Sequence, residues 1–263
     1  MISPNSITEI SRKKGVGWIV VEKDYFLTLL LEGIAHNDDL RKNWVIKRGA
    51  ALRKICFKRY RHSEDLDFTL INPMSGEEII AHLEEVFAYV KKEHNAEFRI
   101  KEEYSKAWFH DIKIQFMGLK GIKNTITLDL ISDEIIVDKI KEGRIVNPYY
   151  KKVITIKVYS LEEILAEKLR SILQRTRVRD YYDVWYMLHH VKIDPDKLKK
   201  IFSKKVKYKH LEFKDKRQLL EKNKIEQAKA YYQRQIAHQL KRPPEFDKII
   251  KELEIALDKI DLY

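Results

Sequence analysis

Residues 46–70 read IKRGAALRKICFKRYRHSEDLDFTL, and this stretch decides the fold. It closes on two aspartates one residue apart, Asp65 and Asp67, alternating with the apolar Leu66 and Phe68. A strand repeats every two residues, so both carboxylates leave one face and the apolar side chains leave the other. Like charges held that close repel, and a hard cation with oxygen ligands relieves the repulsion. Mg2+ suits such a pair. Held there, it would bridge a nucleotide's phosphates and lower the charge barrier to in-line attack on phosphorus. An isolated D-x-D is more often a turn or a solvated strand end, so the rest of the chain has to decide between the two readings.

Two further stretches place polar residues inside apolar patterns. Asn124–Ser132, NTITLDLIS, alternates as a strand and presents Asp129. In 159–188, Ser160 and Glu163 stand at capping-box spacing and predict a helix start. Ile164, Leu165, Lys168, Leu169 and Ile172 follow at helical spacing, which sets a lysine in an apolar stripe. Such a lysine either snorkels to water or serves as a point charge for phosphate. Asp180 and Asp183 then share a helical face at i and i+3, where acidic residues also complement a helix start without any chemistry.

The residues Gly49, Leu52, the Arg61–Ser63 step and Glu64-Asp65-Leu66-Asp67-Phe68 resemble the signature of the AbiEii/AbiGii-type, MenT-like toxin nucleotidyltransferases of the polymerase-beta-like superfamily. In that family a strand-turn-helix reading like F-K-G-G-T-A-L precedes R-F-S-E-D-L-D-F. This chain keeps Lys47, Gly49, Ala51, Leu52 and all of S-E-D-L-D-F. It departs at Arg48, where the family has a first glycine, and at Ala50, where the family has Thr or Ser. Glycine lets the backbone approach a triphosphate and a hydroxyl can donate to it, so both aids are weakened here. Arg48 either supplies charge-assisted contacts to phosphate or obstructs its approach. Val21–Tyr25 resembles the E-K-D-Y/W opening of the family's N-terminal helix, from which Glu22 or Asp24 could reach the site. Lys168 falls on the family's E-K-L lysine, and Arg179-Asp180-Tyr181-Tyr182-Asp183 on its R-D-x-x-D.

The resemblance implies an α+β fold: a polymerase-beta-like core with a mixed sheet and flanking helices over residues 1–158, and a C-terminal helical domain over 159–263, with the nucleotide in the cleft between them. It implies a Mg2+-dependent nucleotidyltransferase, with Mn2+ as a substitute, acting as the toxin of a toxin–antitoxin pair. The donor would be an NTP, the acceptor the 3′ end of tRNA or another RNA, and a further partner a winged-helix antitoxin. Asp65, Asp67, Asp129, Lys168, Asp180 and Asp183 would be catalytic, the first three of them as metal ligands. Lys47, Arg48, Gly49, Ala50, Arg53, Ser63 and Arg179 would bind nucleotide. The departures at Arg48 and Ala50 keep two rivals in play, an enzyme modifying a protein or small molecule and a non-catalytic nucleotide- or RNA-binding relative.

Composition is compatible with this frame. The 263 residues carry 52 Lys and Arg against 40 Asp and Glu, a net charge of +12, which suits a polyanionic partner or simply a soluble basic protein. The one cysteine, Cys56, excludes an intrachain disulfide and fits a reducing cytoplasm; between Ile55 and Phe57 it reads as a small buried apolar residue. No hydrophobic signal follows MISPNSITEISRKKG and no apolar run is long enough to cross a bilayer. Zinc spacing, a Walker A loop, a Rossmann fingerprint and a nucleophile elbow are all absent from the sequence. Strands are expected at 44–47, 65–70, 98–102, 108–117 and 125–131, with helices at 3–12, 21–35, 50–57 and 77–93. Beyond 158 the pattern is helical, with 228–240 and 246–257 closing the bundle and 198–217 the most basic stretch.

Overall fold

The computed structural model describes residues 1–262; residue 263, the last of the expected helical domain, lies outside the described residues. Its contacts fall into two compact units, residues 1–134 with 140–158, and residues 135–139 with 159–263.

The first unit contains α1 (Pro4–Lys14), α2 (Trp18–His36), α3 (Asp38–Asn43), β1 (Trp44–Lys47), α4 (Arg48–Ala51), β2 (Asp65–Leu70), α5 (Gly76–His94), β3 (Phe98–Lys106), β4 (Phe109–Met117), β5 (Lys123–Ile131), β6 (Lys141–Arg144) and β7 (Thr155–Val158). The strands form one mixed sheet in the order β3-β4-β5-β2-β1-β7-β6. β2 runs antiparallel to β1 and parallel to β5, so the Asp65–Leu70 strand lies at the centre of the sheet. β1 and β2 have the bounds the alternation predicts. The short β6 and β7 were not expected: K-E-G-R and T-I-K-V are too brief for a period to show, and only pairing with each other and with β1 makes them strands.

Alternation sorts the sheet into two faces. Leu66, Phe68, Ile112, Ile114, Phe116, Ile126, Leu128 and Leu130 are all buried, while the residues between them in β2, β4 and β5 are mostly half-buried and largely polar. Phe26 of α2 stacks on Phe116 with ring centroids 4.1 Å apart, and Phe87 of α5 meets Phe98 of β3 at 5.8 Å, so these two helices cover the apolar face. They also pack closely on each other. A Cβ at Gly33 would lie 2.7 Å from Val86 Cγ1, which is why that position of α2 carries no side chain.

The helix expected at 50–57 divides. After α4 the chain widens into a π-helical turn over Leu52–Cys56, closed by Phe57 N–H donating to the Leu52 carbonyl at 2.8 Å. Arg53 and Lys54 on this turn are buried and meet Asp24 of α2, Lys54 Nζ at 2.8 Å and Arg53 Nε at 3.7 Å from Oδ1. The Tyr149 hydroxyl donates to the other carboxylate oxygen. Burial alone would raise the Asp24 carboxyl, but the charges of Lys54, Arg53, His62 and Lys14 outweigh it and hold it well below the usual carboxylate range. Asp24 is therefore an internal counter-charge for the core, which corrects the expectation that it reaches the active site. Glu22 is corrected too. Its carboxylate accepts from Leu119 N–H at 2.6 Å, in the β4–β5 turn, at the opposite end of those strands from Asp129.

The second unit holds α6 (Leu161–Gln174), α7 (Val178–His190), α8 (Pro195–Tyr208), α9 (Lys222–Gln235) and α10 (Phe246–Asp258). Ser160 caps α6 by accepting from Glu163 N–H, but the reciprocal half of the expected capping box does not form. The Glu163 carboxylate instead accepts from Val137 and Asp138 N–H and pairs with Lys205 Nζ at 2.8 Å. Lys205 also donates to the Ile135 carbonyl, so the basic stretch of 198–217 sends one of its lysines into the core. Among the described residues no helix is long and apolar enough to cross a membrane.

Replacing Asp24 with Ala leaves the buried Lys54 and Arg53 without their counter-charge. The variant is expected to lose about 3–5 kcal/mol of stability, read as a lowered urea midpoint of the full chain with an unchanged slope.

Candidate active site

The strand register builds the site. Lys47 of β1 stands opposite Asp67 of β2, Asp67 beside Asp129 of β5, Asp129 opposite Asp111 of β4, and Asp111 opposite Tyr104 of β3. Register partners on adjacent strands project from the same face, so these residues form one row across the sheet, stepping about 4.8 Å from strand to strand. Three carboxylates stand consecutively in it. Asp65 lies one pleat along β2 on the same face, opposite Thr127.

This crowding has an electrostatic signature. Burial and the neighbouring Asp67 carboxylate push the Asp129 carboxyl up to about 7, with Asp111 and Asp65 adding to the effect and Arg48 opposing it. Asp129 Oδ1 is buried and accepts no hydrogen bond. A buried carboxylate oxygen in that state lacks a cation or a proton. Asp111 escaped the sequence reading. It occupies a polar position of the alternating β4, but nothing short of the hairpin register says that it faces Asp129.

The turn after β1 supplies the other wall. Arg48 adopts the left-handed backbone conformation at φ +56°, which costs a residue with a β-carbon about 1–2 kcal/mol. That is the physical reason a glycine suits this position. The Arg48 guanidinium reaches Asp67 Oδ1 at 2.6 Å. At Gly49 a Cβ would come within 2.9 Å of Arg61 Nη2 and 3.2 Å of Ser63 Oγ, so any side chain there would force the buried Arg61 guanidinium to shift from the helix start. Ser63 donates to the Asp65 carbonyl at 3.2 Å and fixes the entry into β2. Lys47 and Ala50 are buried, and Ala50 offers no hydroxyl. Arg53 is a correction. Its guanidinium is engaged by Asp24, the Lys58 carbonyl and His62 Nε2 instead of lining a phosphate pocket.

In the helical unit, Lys168 is buried with Nζ 2.6 Å from Asp180 Oδ1 and 2.9 Å from Asp183 Oδ2. It does not snorkel. Burial would raise the Asp180 carboxyl, but Lys168 and Arg175 outweigh that and keep it below the usual range. The i, i+3 aspartates on α7 thus hold the lysine of α6. Arg179 sits half-buried in the first turn of α7.

Among the described residues no three His, Cys, Asp or Glu side chains are already gathered as a cation cage. The donor set nevertheless fits a hard divalent ion. It comprises adjacent carboxylates on β2 and β5, a third one pleat away, an unpartnered buried oxygen, and a guanidinium placed where positive charge is needed.

A mixed sheet thus lines up carboxylates from neighbouring strands beside a helix start. The family model for the nucleotidyl transferase AbiEii toxin of type IV toxin–antitoxin systems matches residues 29–252, and the chain belongs to that family. It is a toxin nucleotidyltransferase, and the family implies a nucleotide substrate and an antitoxin partner. The nucleotidyltransferase toxin MenT4 of Mycobacterium tuberculosis shares the fold at a TM-score of 0.70 and 14% identity, over 99% of this chain and 91% of that one. A protein of H. pylori assigned as a nucleotidyltransferase does so at 0.61 and 14% identity, over 93% and 95%. A sequence comparison with curated proteins found no match.

Glycine adopts the backbone of Arg48 freely and removes the cation from Asp67. Arg48→Gly is expected to keep the fold and to bind Mn2+ about tenfold more tightly, since a charged hydrogen bond contributes about 1.5–3 kcal/mol, as measured by paramagnetic titration of the free ion.

Proposed function

We propose that this chain transfers a nucleotide from an NTP to the 3′ end of tRNA or another RNA, with Mg2+ as its cation and Mn2+ as a substitute. The observation that supports this most is the Asp67–Asp129 pair on adjacent strands with a buried carboxylate oxygen left unpartnered. Asp65, Asp67 and Asp129 would hold the ion. Bound there, it would offset phosphate charge and favour in-line displacement at phosphorus. Asp111 adds its negative charge at the end of the row.

Lys168, oriented by Asp180 and Asp183, would neutralise phosphate charge as the resemblance implies, and a lysine held by two carboxylates keeps its ammonium in one place. Lys47, Arg48, Gly49, Ser63 and Arg179 would line the nucleotide's path, with Ala50 contributing only backbone. For Arg48 this requires its guanidinium to leave Asp67 for phosphate. The net charge of +12 supports a polyanionic acceptor, and a winged-helix protein is the antitoxin we propose. One observation favours a second reading, a nucleotide-binding relative without turnover: the Arg48–Asp67 ion pair occupies a ligand of the proposed ion.

Incubation with each labelled NTP, Mg2+ and total RNA tests both. Label is expected to enter RNA, and Asp67→Asn or Asp129→Asn is expected to lower transfer by about 100-fold or more, the equivalent of several kcal/mol of charge stabilisation. Label entering protein instead would overturn the RNA acceptor. Binding of Mg-nucleotide without transfer, unchanged in Asp67→Asn, would establish the second reading. Lys168→Ala is expected to lower transfer as well, with circular dichroism showing whether its unit stays folded.

A further inference from the structure

The polar face of the sheet carries two large rings that no core requires. Tyr104 of β3 is 53% exposed although it lies in the register row of Asp111, Asp129 and Asp67. Phe109 of β4 is half-buried with its centroid 6.4 Å from that of Tyr104. Counting strands, Tyr104 stands about 10 Å from Asp129 and about 14 Å from Asp67 along the row. Between the rings and Asp111 lies a hollow of about 460 Å³, completed by Glu102, Glu103 and Lys113. Its volume is within the range of small-molecule sites, which pair apolar walls with a few polar groups.

We infer that this hollow is a nucleobase subsite. A base offers a flat π-face to stack on Tyr104, with Phe109, inclined 59° to that ring, meeting it edge-on, and hydrogen-bonding edges for Asp111, Glu102 and Lys113. The Lys106 ammonium, 5.5 Å from the Tyr104 ring centroid, places positive charge where a sugar-phosphate backbone would pass. Two bases could occupy it, that of the donor NTP or that of an RNA acceptor's terminal nucleotide, and both present the same chemistry to the rings. A base bound here would project its phosphate or its sugar hydroxyl along the row toward Asp129 and Asp67. The inference rests on the proposal that transfer takes place at that carboxylate row.

Tyr104→Ala, Tyr104→Phe and Phe109→Ala in the full chain, with Asp67→Asn as the reference for the row itself, test it. Affinities would be measured for each NTP, for a short single-stranded RNA and for inorganic tripolyphosphate, which has no base. Tyr104→Ala is expected to weaken either the NTP or the RNA by about tenfold or more, Tyr104→Phe to stay near wild type, and tripolyphosphate to bind all of them alike. A loss confined to the NTP assigns the donor's base, and a loss confined to RNA the acceptor's. Unchanged affinity for both in a folded Tyr104→Ala and Phe109→Ala overturns the subsite even while Asp67→Asn abolishes transfer. Equal weakening of tripolyphosphate would show that the rings support the fold around the row and not a base, which also overturns it. A wild-type chain that transfers nothing, with Tyr104→Ala still lowering base-dependent affinity, would retire the transfer reading and leave the subsite standing.

Discussion

Mutual repulsion among carboxylates from neighbouring strands is the constraint around which this molecule is organised. Asp67, Asp129 and Asp111 are brought side by side by hydrogen-bonded register, so the backbone fixes the spacing of their Cβ atoms and leaves only side-chain rotation to relieve the crowding. The outcome is visible in Asp129, whose buried oxygen is unpartnered and whose carboxyl is held near neutrality. A site built this way has a standing demand for positive charge.

Arg48 is the local answer. It takes a backbone conformation that favours glycine and directs its guanidinium to Asp67, trading strain for charge neutralisation. The same turn packs Gly49 under Arg61 so closely that a β-carbon would displace the guanidinium. The two positions respond to different constraints. One concerns backbone dihedral and electrostatics, the other only volume.

Away from the carboxylate row, each unit also holds a buried carboxylate that is closed by partners. Asp24 gathers Lys54, Arg53 and Tyr149 at the back of the π-helical turn, and Glu163 gathers Lys205 and two backbone amides in the helical unit. Lys168 between Asp180 and Asp183 looks alike in burial but differs in stoichiometry. There two carboxylates converge on a single ammonium, with Arg175 supplying the second cation. Pairs of this kind add little net stability over apolar replacements, yet losing one member is severe, which suits them to fixing geometry.

Alternation in 65–70, 108–117 and 125–131 made the central strands legible, and with them the placing of Asp65 and Asp67 on one face, because a period of two is a local property of the chain. The motif order likewise singled out Asp129, Lys168 and the α7 aspartates as candidates. What stayed hidden were the partners across space. Asp111 and Tyr104 joined the row only through hairpin register, Asp24 and Arg53 turned from site candidates into core counter-charges, and β6 and β7 became strands only by pairing. Local pattern decides which face a side chain leaves, since that follows from covalent geometry. Which distant group it meets is decided by strand order and burial, since those free energies exist only once the chain has closed on itself.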